Sequence, residues 1–421
     1  MIRKVFFMSA IVVALAATKS SMAQSRFTTA DRGGGEAESR PTTSGQVARV
    51  PIVQFVPSGP DGGPKFKSGG PILNFDRFEE ELRNRLDGNC AGYSFAFNLN
   101  GNLERSGAWG MRQNATDSPN GNPLPQSEFE RMHIASVAKN ITASAVIRLL
   151  AMSGVSLNES IADYMPTQWD VNDDFQEVKF HHLLIHKSGF NTFGASTTYA
   201  SLQNSVANGT DTGVANTGTY DNRNFGLLRI ALPYAVCPQI MLQHEIDGFL
   251  SNSYDETVDD KTSELFIWLC NEYVLEPAGI LGAECRADSS DAWRTMFYDG
   301  FGDTNPGQDG GDWTNRSGGA GWVLSAVELA QYMAFRRYSN VFLSDGQREM
   351  MDTEGYGWRT TVGEHGTYLR HGGSFDASGP LRAQIMQFPN CNVEAVLLVN
   401  SDLQGTTVAA ALRDAFDAAW E

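Results

Sequence analysis

The sequence is 421 residues long, with 41% hydrophobic residues and a formal net charge of −17. An apolar fraction of this size can build a large core, which excludes a wholly disordered chain. The 49 acidic residues outnumber the 32 basic ones, which argues against nucleic acid or an anionic membrane as partner, because both need clustered lysine and arginine. At roughly 150 residues per domain, the length allows two or three structural units.

Residues 1–23 have the pattern of a secretory signal peptide. Arg3 and Lys4 precede an apolar run at 5–17, and small residues at Ser21 and Ala23 favour cleavage after Ala23. The apolar run is shorter than the ~20 residues that span a bilayer, and no later segment is predicted to span one. We therefore expect a periplasmic or secreted protein, not inserted in a membrane after cleavage. Loss of the leader would change the formal charge from −17 to −20.

Five cysteines are too few for a disulfide scaffold, and their odd number leaves at least one thiol unpaired within the chain. One pair could be bridged in an oxidising compartment, and Cys270 and Cys285 are the closest in sequence.

Residues 24–74 are rich in Gly, Ser, Thr and Pro and predict a flexible arm, because such a composition cannot bury enough apolar surface to offset its ordering entropy. A partner-binding segment at 50–56 is the alternative for the apolar stretch within it.

The next segments predict a helix followed by a hairpin. Apolar residues recur with helical spacing over 75–86, and large apolar residues alternate over 91–99. Asn100-Gly101-Asn102 predicts a turn, and 103–109 returns as a second strand. A helix followed by a hairpin is typical of an α+β fold.

The remaining predicted elements end the chain with strands and a helix. Residues 134–152 form the strongest helical segment, and 326–337 is a second. Strands are predicted at 381–388 and 393–399, followed by a helix at 407–420.

Ser136 and Lys139 lie at the start of the strongest helix, three residues apart and so on one helical face. A serine hydroxyl needs a base to become nucleophilic, and a partly desolvated lysine can serve. The helix N-terminus adds N–H groups that favour an oxyanion. A capping serine beside a solvated lysine is the plain structural alternative.

The stretch around this pair resembles the first motif of the serine β-lactamase/penicillin-recognising superfamily. Residues 157–166 and 182–189 resemble two further segments of the branch that holds class C β-lactamases, D-aminopeptidases and esterases, with Lys187 in place of the usual threonine. Residues 318–326 are similar to a Gly-rich segment of the same branch. The resemblance covers about 75–420.

Tyr220-Asp221-Asn222 resembles the second motif of that branch, Tyr-x-Asn. A tyrosine beside two cations sheds its proton more readily, and a side-chain amide can hold a substrate carbonyl. The resemblance makes Tyr220 a base or proton relay and Asn222 a positioning group. A simple turn is the alternative for the tripeptide.

His371-Gly372-Gly373-Ser374 resembles the His-x-Gly version of the third motif. Glycines let a substrate approach the backbone of an edge strand closely. The family places the oxyanion hole at the N–H groups of Ser136 and Ser374. His371 stands where β-lactamases have lysine, which favours a peptidase or esterase over a β-lactamase; a turn histidine is the alternative.

The resemblance therefore implies a β-lactamase/transpeptidase-like α+β fold over 75–421. The antiparallel sheet would come from about 75–135 and 317–421, and a helical subdomain from about 136–316. The expected activity is hydrolysis of an amide or ester through a Ser136 acyl-enzyme, on a small-molecule or peptide substrate. A peptidase or amidase is favoured; a carboxylesterase, a β-lactamase and a non-catalytic penicillin-binding or scaffold protein stay open. The oligomeric state does not follow.

No metal or organic cofactor is expected. His182 and His186 have a spacing that could face one metal, but the glutamate of a zinc hydrolase motif is missing. The Gly/Asp-rich loop at 299–319 faintly resembles a calcium loop, but lacks its glutamate. Tryptophans between Tyr220 and His371 could line an aromatic pocket, although core packing is the more common use; they are Trp268, Trp293, Trp313 and Trp322.

Overall fold

The computed structural model describes residues 53–54, 72–214, 218–287, 294–376, 380–388 and 391–421. The chain divides into Met1–Arg49 and Val50–Glu421, and all described residues belong to the second unit. The predicted signal peptide lies outside the described residues, as does most of the predicted arm. Within the arm, Val53–Gln54 forms a two-residue strand, so this part of the arm has regular structure.

Ten strands and ten α-helices, numbered along the chain, make up the regular structure of the described residues. The strands are β1 (Val53–Gln54), β2 (Gly92–Leu99), β3 (Asn102–Gln113), β4 (Leu124–Pro125), β5 (Met132–His133), β6 (Val323–Leu324), β7 (Arg359–Gly363), β8 (Gly366–Phe375), β9 (Leu381–Phe388) and β10 (Val393–Val399). The helices are α1 (Phe75–Leu86), α2 (Ala138–Ser153), α3 (Phe180–Leu184), α4 (Tyr199–Asn208), α5 (Arg223–Val236), α6 (Pro238–Leu250), α7 (Tyr254–Cys270), α8 (Ala326–Tyr338), α9 (Asp345–Glu354) and α10 (Val408–Asp417).

One antiparallel sheet joins the two ends of the chain. Its strand order is β1-β3-β2-β10-β9-β8-β7, with β4 paired to β3, while β5 and β6 form a separate pair. The centre is the β2–β10 ladder, in which Tyr93 lies opposite Val399 and Leu99 opposite Val393. The predicted strands at 381–388 and 393–399 are confirmed at both ends, and the hairpin at 100–102 is confirmed with a longer second strand.

Helices α1 and α10 cover one face of the sheet. Phe78 of α1 stacks on Phe97 with ring centroids 3.9 Å apart, and Phe416 of α10 stacks on Phe388 at 3.7 Å. All four rings are buried, and burial of one such side chain stabilises the fold by about 1.5–3 kcal/mol. This packing layer stabilises the sheet to which β8 belongs.

Helix α2 lies in the interior of the molecule and packs against α5. Within the described residues, Ala135–Ser153 is 19 residues long with a mean hydropathy of 1.2, enough by length and composition to span a membrane, contrary to the sequence expectation. Because 78% of that segment is buried inside the protein, its apolar character is explained by packing on all sides of a core helix.

Most helices and most strands of the described residues occupy different parts of the sequence. Helices α2–α7 occupy 138–270, inside the predicted helical subdomain of 136–316. The predicted sheet part of 317–421 also contains α8 and α9, and the main sheet resumes only at Arg359. Residues 326–354 between the helical part and β7 therefore include two further helices, α8 and α9.

The five cysteines, all within the described residues, are free and buried. Burial raises the pKa of the Cys90 thiol to about 12 and that of Cys237 to about 12. The Cys270–Cys285 bridge considered from the sequence is not formed. These thiols behave as small apolar side chains of the core.

Candidate active site

Ser136 lies in a tight turn that leads into the core helix. Ala135 has a φ of +44°, a conformation that residues other than glycine rarely adopt, and Ala135–Val137 form a 3₁₀ turn before α2. Backbone strain of this kind costs on the order of 1–3 kcal/mol and persists only where the surroundings impose it. The turn places Ser136 at a helix N-terminus, where backbone N–H groups lack partners within the helix.

Lys139 is the second residue of α2, one helical turn after Ser136, and is completely buried. Its Nζ donates to Ser136 Oγ at 3.0 Å and to the carbonyl oxygen of Gly319 at 2.8 Å. In the described part of the chain it forms no ion pair with a carboxylate, so its contacts are the serine, one carbonyl and the rings of Tyr220 and Phe225. A buried lysine placed in this way is suited to exchange a proton with Ser136.

Tyr220 completes the contacts of the serine hydroxyl. Its phenolic O–H donates to Ser136 Oγ at 2.7 Å. Two cations approach its ring: Lys139 Nζ is 5.1 Å and Arg359 Cζ is 5.0 Å from the ring centroid. The second cation, Arg359 on β7, was not predicted from the sequence.

A buried ion pair holds the Tyr220-Asp221-Asn222 segment in place. The Asp221 carboxylate is fully buried and pairs with the guanidinium of Arg223 at 2.7 Å. It also accepts the backbone N–H groups of Thr192, at 2.9 Å, and Arg223, at 2.8 Å. Because Asp221 is flanked by Tyr220 and Asn222, these bonds fix the backbone from which both side chains project. Asn222 immediately precedes α5 and lines the cavity described below.

Strand β8 brings the predicted third motif against the serine turn. A Cβ atom built on Gly373 would lie 2.3 Å from the carbonyl oxygen of Ile134 and 3.1 Å from the backbone nitrogen of Ser136. Only glycine fits at that distance. Gly372 is close to Gln384, and Ser374 faces the cavity. The strand therefore lies beside the N–H of Ser136, as the resemblance implies for an oxyanion hole.

His371 is buried beside this strand edge rather than bonded to the serine. Its Nδ1–H donates to the carbonyl oxygen of Gly357 at 2.7 Å, and its ring centroid is 6.5 Å from that of Tyr220. Burial, with the charges of Lys139 and Arg359 nearby, lowers the pKa of His371 to about 3. His371 is therefore a neutral imidazole near pH 7.

His186, considered in the sequence as a metal ligand and set aside, packs against Tyr220. Its ring centroid is 4.5 Å from that of Tyr220. Burial and the charge of Lys139 lower the pKa of His186 well below its ordinary value. In the described segments no three His, Cys, Asp or Glu side chains lie close enough together to hold a metal ion.

A cavity of about 320 Å³ opens in front of Ser136. A hydroxyl-rich loop, an amide and an aromatic wall surround it, formed by Ala135, Ser136, Gly194, Ala195, Ser196, Thr197, Thr198, Asn222, Gly226, Trp313, Asn315, Arg316, Gly319, Ala320, Ser374 and Phe375. Of the predicted site residues, Ser136, Asn222 and Ser374 line this cavity, while Lys139 and Tyr220 lie behind the serine.

The aromatic wall comes from residues that the motifs did not identify as site residues. Trp313, one of the tryptophans considered from the sequence, stacks on His133 with ring centroids 4.1 Å apart and contacts the tilted ring of Phe375 at 4.8 Å. Trp322 is instead buried in the core, and Trp293 lies outside the described residues. Arg316 and the loop 194–198 carried no motif signal.

Comparison with known proteins agrees with this fold. The Beta-lactamase family model matches residues 75–234. A β-lactamase/D-alanine carboxypeptidase from Pseudomonas syringae is 15% identical, with a TM-score of 0.59 over 82% of this chain and 98% of that one. EstCE1, a hydrolase with promiscuous acyltransferase activity, is 16% identical, with a TM-score of 0.60 over the same two shares.

The chain has the β-lactamase/transpeptidase-like fold, and its residues 75–234 match the family model. An octameric penicillin-binding protein homologue from Pyrococcus abyssi also shares the fold, at 17% identity and a TM-score of 0.58 over 82% of this chain and 76% of that one. No curated protein sequence matches the chain. The predicted α+β class and β-lactamase/transpeptidase-like architecture are confirmed.

Proposed function

We propose that this protein is a serine hydrolase that cleaves an amide or ester bond through an acyl-enzyme on Ser136. The observation that carries the proposal is the pair of hydrogen bonds that Lys139 and Tyr220 make to the same atom, Ser136 Oγ. A structural serine needs no such pair, whereas a nucleophile needs a group that takes its proton and one that returns it.

Acylation uses these contacts directly. Ser136 Oγ forms a bond to the substrate carbonyl carbon while its proton passes to the Lys139–Tyr220 pair. The carbonyl oxygen gains negative charge and is stabilised by the N–H groups of Ser136 and Ser374. Collapse of the tetrahedral intermediate breaks the bond to the leaving nitrogen or oxygen, which receives the proton.

Deacylation reverses these roles with water as the nucleophile. Water attacks the acyl carbon, gives its proton to the same Lys139–Tyr220 pair, and the ester bond to Ser136 Oγ breaks as that oxygen regains a proton. Asn222 lines the cavity and can donate its amide N–H to a substrate carbonyl. No step of this scheme calls for a metal ion or an organic cofactor.

The neutral state of His371 favours a peptidase, amidase or esterase over a β-lactamase. A lysine at this position would give the site a cation for the carboxylate of a β-lactam, whereas burial holds the pKa of His371 at about 3. A peptidase or amidase is the preferred assignment and a carboxylesterase the alternative. Short acyl esters, D-amino-acid peptides and a chromogenic cephalosporin distinguish them, and fast cephalosporin turnover would contradict this reasoning.

Labelling with a fluorophosphonate tests the nucleophile. We expect one adduct on the wild-type protein, located on Ser136, and none on Ser136→Ala. A Ser144→Ala variant is the matched control, because Ser144 lies two turns further along α2 and bonds to the hydroxyl of Tyr332. An undiminished adduct in Ser136→Ala, or no adduct on the wild type, would refute the mechanism and favour a non-catalytic penicillin-binding protein.

We also propose that the protein acts in the periplasm or outside the cell, after cleavage behind Ala23. Expression of the full chain followed by fractionation and N-terminal sequencing tests this. A mature protein that begins with Met1 in the cytoplasm would contradict it.

A further inference from the structure

The cavity in front of Ser136 contains a single charged side chain among its described lining residues. That residue is Arg316; the others are small, hydroxylated, amide or aromatic. The chain as a whole carries a net charge of −17. A cationic residue in the cavity wall therefore has the opposite sign to the net charge of the protein. The substrate group that enters the cavity meets this guanidinium.

The guanidinium of Arg316 has no acidic partner in the described part of the chain, where most other arginines are paired. Its side chain contacts the ring of Trp313, whose centroid lies 5.8 Å from the Arg316 Cζ. A guanidinium over an aromatic ring keeps its in-plane N–H groups free, and these match a carboxylate with two parallel hydrogen bonds. An unpaired arginine in a cavity is thus a preformed carboxylate receptor.

The backbone that carries Arg316 is held rigidly. Its carbonyl oxygen accepts the N–H groups of Gly319 at 3.0 Å, Ala320 at 2.9 Å and Gly321 at 3.2 Å, and its own N–H donates to the carbonyl oxygen of Trp313 at 2.8 Å. Because the Gly319 carbonyl also accepts the Lys139 ammonium, one short segment sets the positions of both the cavity cation and the proton-transfer lysine. Preorganisation of this kind reduces the ordering cost of binding.

The wall next to Arg316 favours a planar or apolar portion in the rest of the substrate group. Trp313 and Phe375 form an aromatic surface, with ring centroids 4.8 Å apart, next to Arg316. A planar or apolar portion can lie against these rings while an attached anionic group reaches the guanidinium. Serine and threonine hydroxyls of 196–198 on another wall are weaker partners for such an anion.

We propose that the preferred substrates of this protein carry a carboxylate on the portion that occupies the Arg316–Trp313 wall. The inference rests on the proposed acyl-enzyme function of Ser136, and names the substrate class for that site. It assigns Arg316 as a specificity-determining residue that none of the three motifs contains.

A matched pair of ester substrates tests the proposal. One is a p-nitrophenyl ester of a monocarboxylic acid, and the other is the mono-p-nitrophenyl ester of the dicarboxylic acid of equal length. The measured quantity is the ratio of kcat/KM for the anionic ester to that for the neutral one, within each variant. Arg316→Gln should lower this ratio at least about tenfold, since a hydrogen bond to a charged group is lost. Arg316→Glu should lower it further, and Arg316→Lys should keep part of it.

Arg77→Gln is the matched control, because it removes the same charge from the exposed surface of α1. Its ratio should equal that of the wild type. An unchanged ratio in Arg316→Gln, or an equal fall in Arg77→Gln, would overturn the proposal. A loss of all hydrolysis together with an undiminished label in Ser136→Ala would instead overturn the proposed function, so the two failures are distinguishable.

A second measurement uses only the wild-type protein, so it does not depend on whether a variant folds. Arylboronic acids bond reversibly to a nucleophilic serine, so the wild-type protein can be titrated with 3-carboxyphenylboronic acid and 3-carbamoylphenylboronic acid. The two differ chiefly in the charge of the ring substituent. Tighter inhibition by the carboxylate supports the proposal, and equal or weaker inhibition contradicts it.

Discussion

Replacing Lys139 by methionine should lower activity strongly and make the protein more stable. The ammonium is completely buried without a carboxylate partner in the described residues, and its bonds go to a hydroxyl and one carbonyl. Desolvating an ion costs several kcal/mol even after relaxation. Methionine has a similar length, so it fills the same space without that penalty.

The expected change in the free energy of unfolding is the desolvation cost that Lys139→Met removes minus the cost of the hydrogen bond that it breaks. Methionine leaves the carbonyl of Gly319 without its partner, which costs about 1–3 kcal/mol. Set against a desolvation cost of several kcal/mol, the net gain is about 1–3 kcal/mol. With an unfolding entropy of roughly 2.1 cal/mol/K per residue, a domain of this size should melt about 1–4 °C higher. Loss of the proton-transfer group should lower kcat by about 10²–10⁴-fold.

Urea unfolding, thermal unfolding and ester hydrolysis measured on the same preparation give these quantities. Lys261→Met is the control, because Lys261 lies half-buried at the surface of α7 and is paired with Glu264. The free energy of unfolding of this variant should change by less than about 0.5 kcal/mol. A Lys139→Met protein that melts several degrees lower than the wild type would refute the reasoning. It would show that Lys139 stabilises the fold.

Three further outcomes follow from the geometry of the site. Gly373→Ala should destabilise the protein and lower activity, because the added Cβ would clash with the backbone. Gly346→Ala is the control, because Gly346 has open space around it and no positive φ. In thermal unfolding this control should be neutral or stabilised by about 0.5–1 kcal/mol. The ¹⁵N NMR signals of His371 should not titrate between pH 5 and 8. The pKa of His371 is about 3 in the folded protein and 6.5 in the unfolded chain, so the unfolded state binds more protons between these two pH values. His371 should therefore reduce the free energy of unfolding as the pH falls from 6.5 toward 3. An NMR titration midpoint near pH 6 would contradict its burial. Asp221→Asn should cost about 1–3 kcal/mol, because hydrogen bonds to a buried carboxylate are lost while the Arg223 guanidinium keeps Asp211 as a charged partner. A loss below about 0.5 kcal/mol in urea unfolding would show that the Asp221 charge is dispensable.

Local sequence patterns predicted the strands and the flanking helices, because apolar residues recur at a different spacing in a strand than in a helix. Helix α1 has the predicted bounds of 75–86, and β9 and β10 end where the apolar runs end. The β2–β10 pairing could not be derived from period alone, because it joins segments about 300 residues apart. The resemblance supplied that long-range information, since the family's motifs carry the topology with them.

The contacts at Ser136 were predicted because each lies within a short motif. Lys139 is one helical turn from the serine, so local geometry is sufficient, and Tyr220 was placed by motif order. Arg359 and Arg316 were missed for a physical reason: each reaches the site by tertiary contact from an element with no distinctive local sequence. A single arginine in a loop or at a strand end gives no signal until the fold shows what faces it.

The positive charge around Ser136 therefore has a different origin from the one that the third motif suggested. His371 and His186 lie near Tyr220 but are neutral at pH 7, because burial and neighbouring cations lower the pKa of both. The cations are instead Arg359 at the Tyr220 ring and Arg316 in the cavity, besides the lysine of the first motif. In this chain the His-x-Gly motif thus leaves β8 without a cation at position 371, and under our proposal Arg316 recognises the substrate anion instead. We therefore expect substitutions at Arg316 in the cavity wall to change substrate preference more than substitutions at His371.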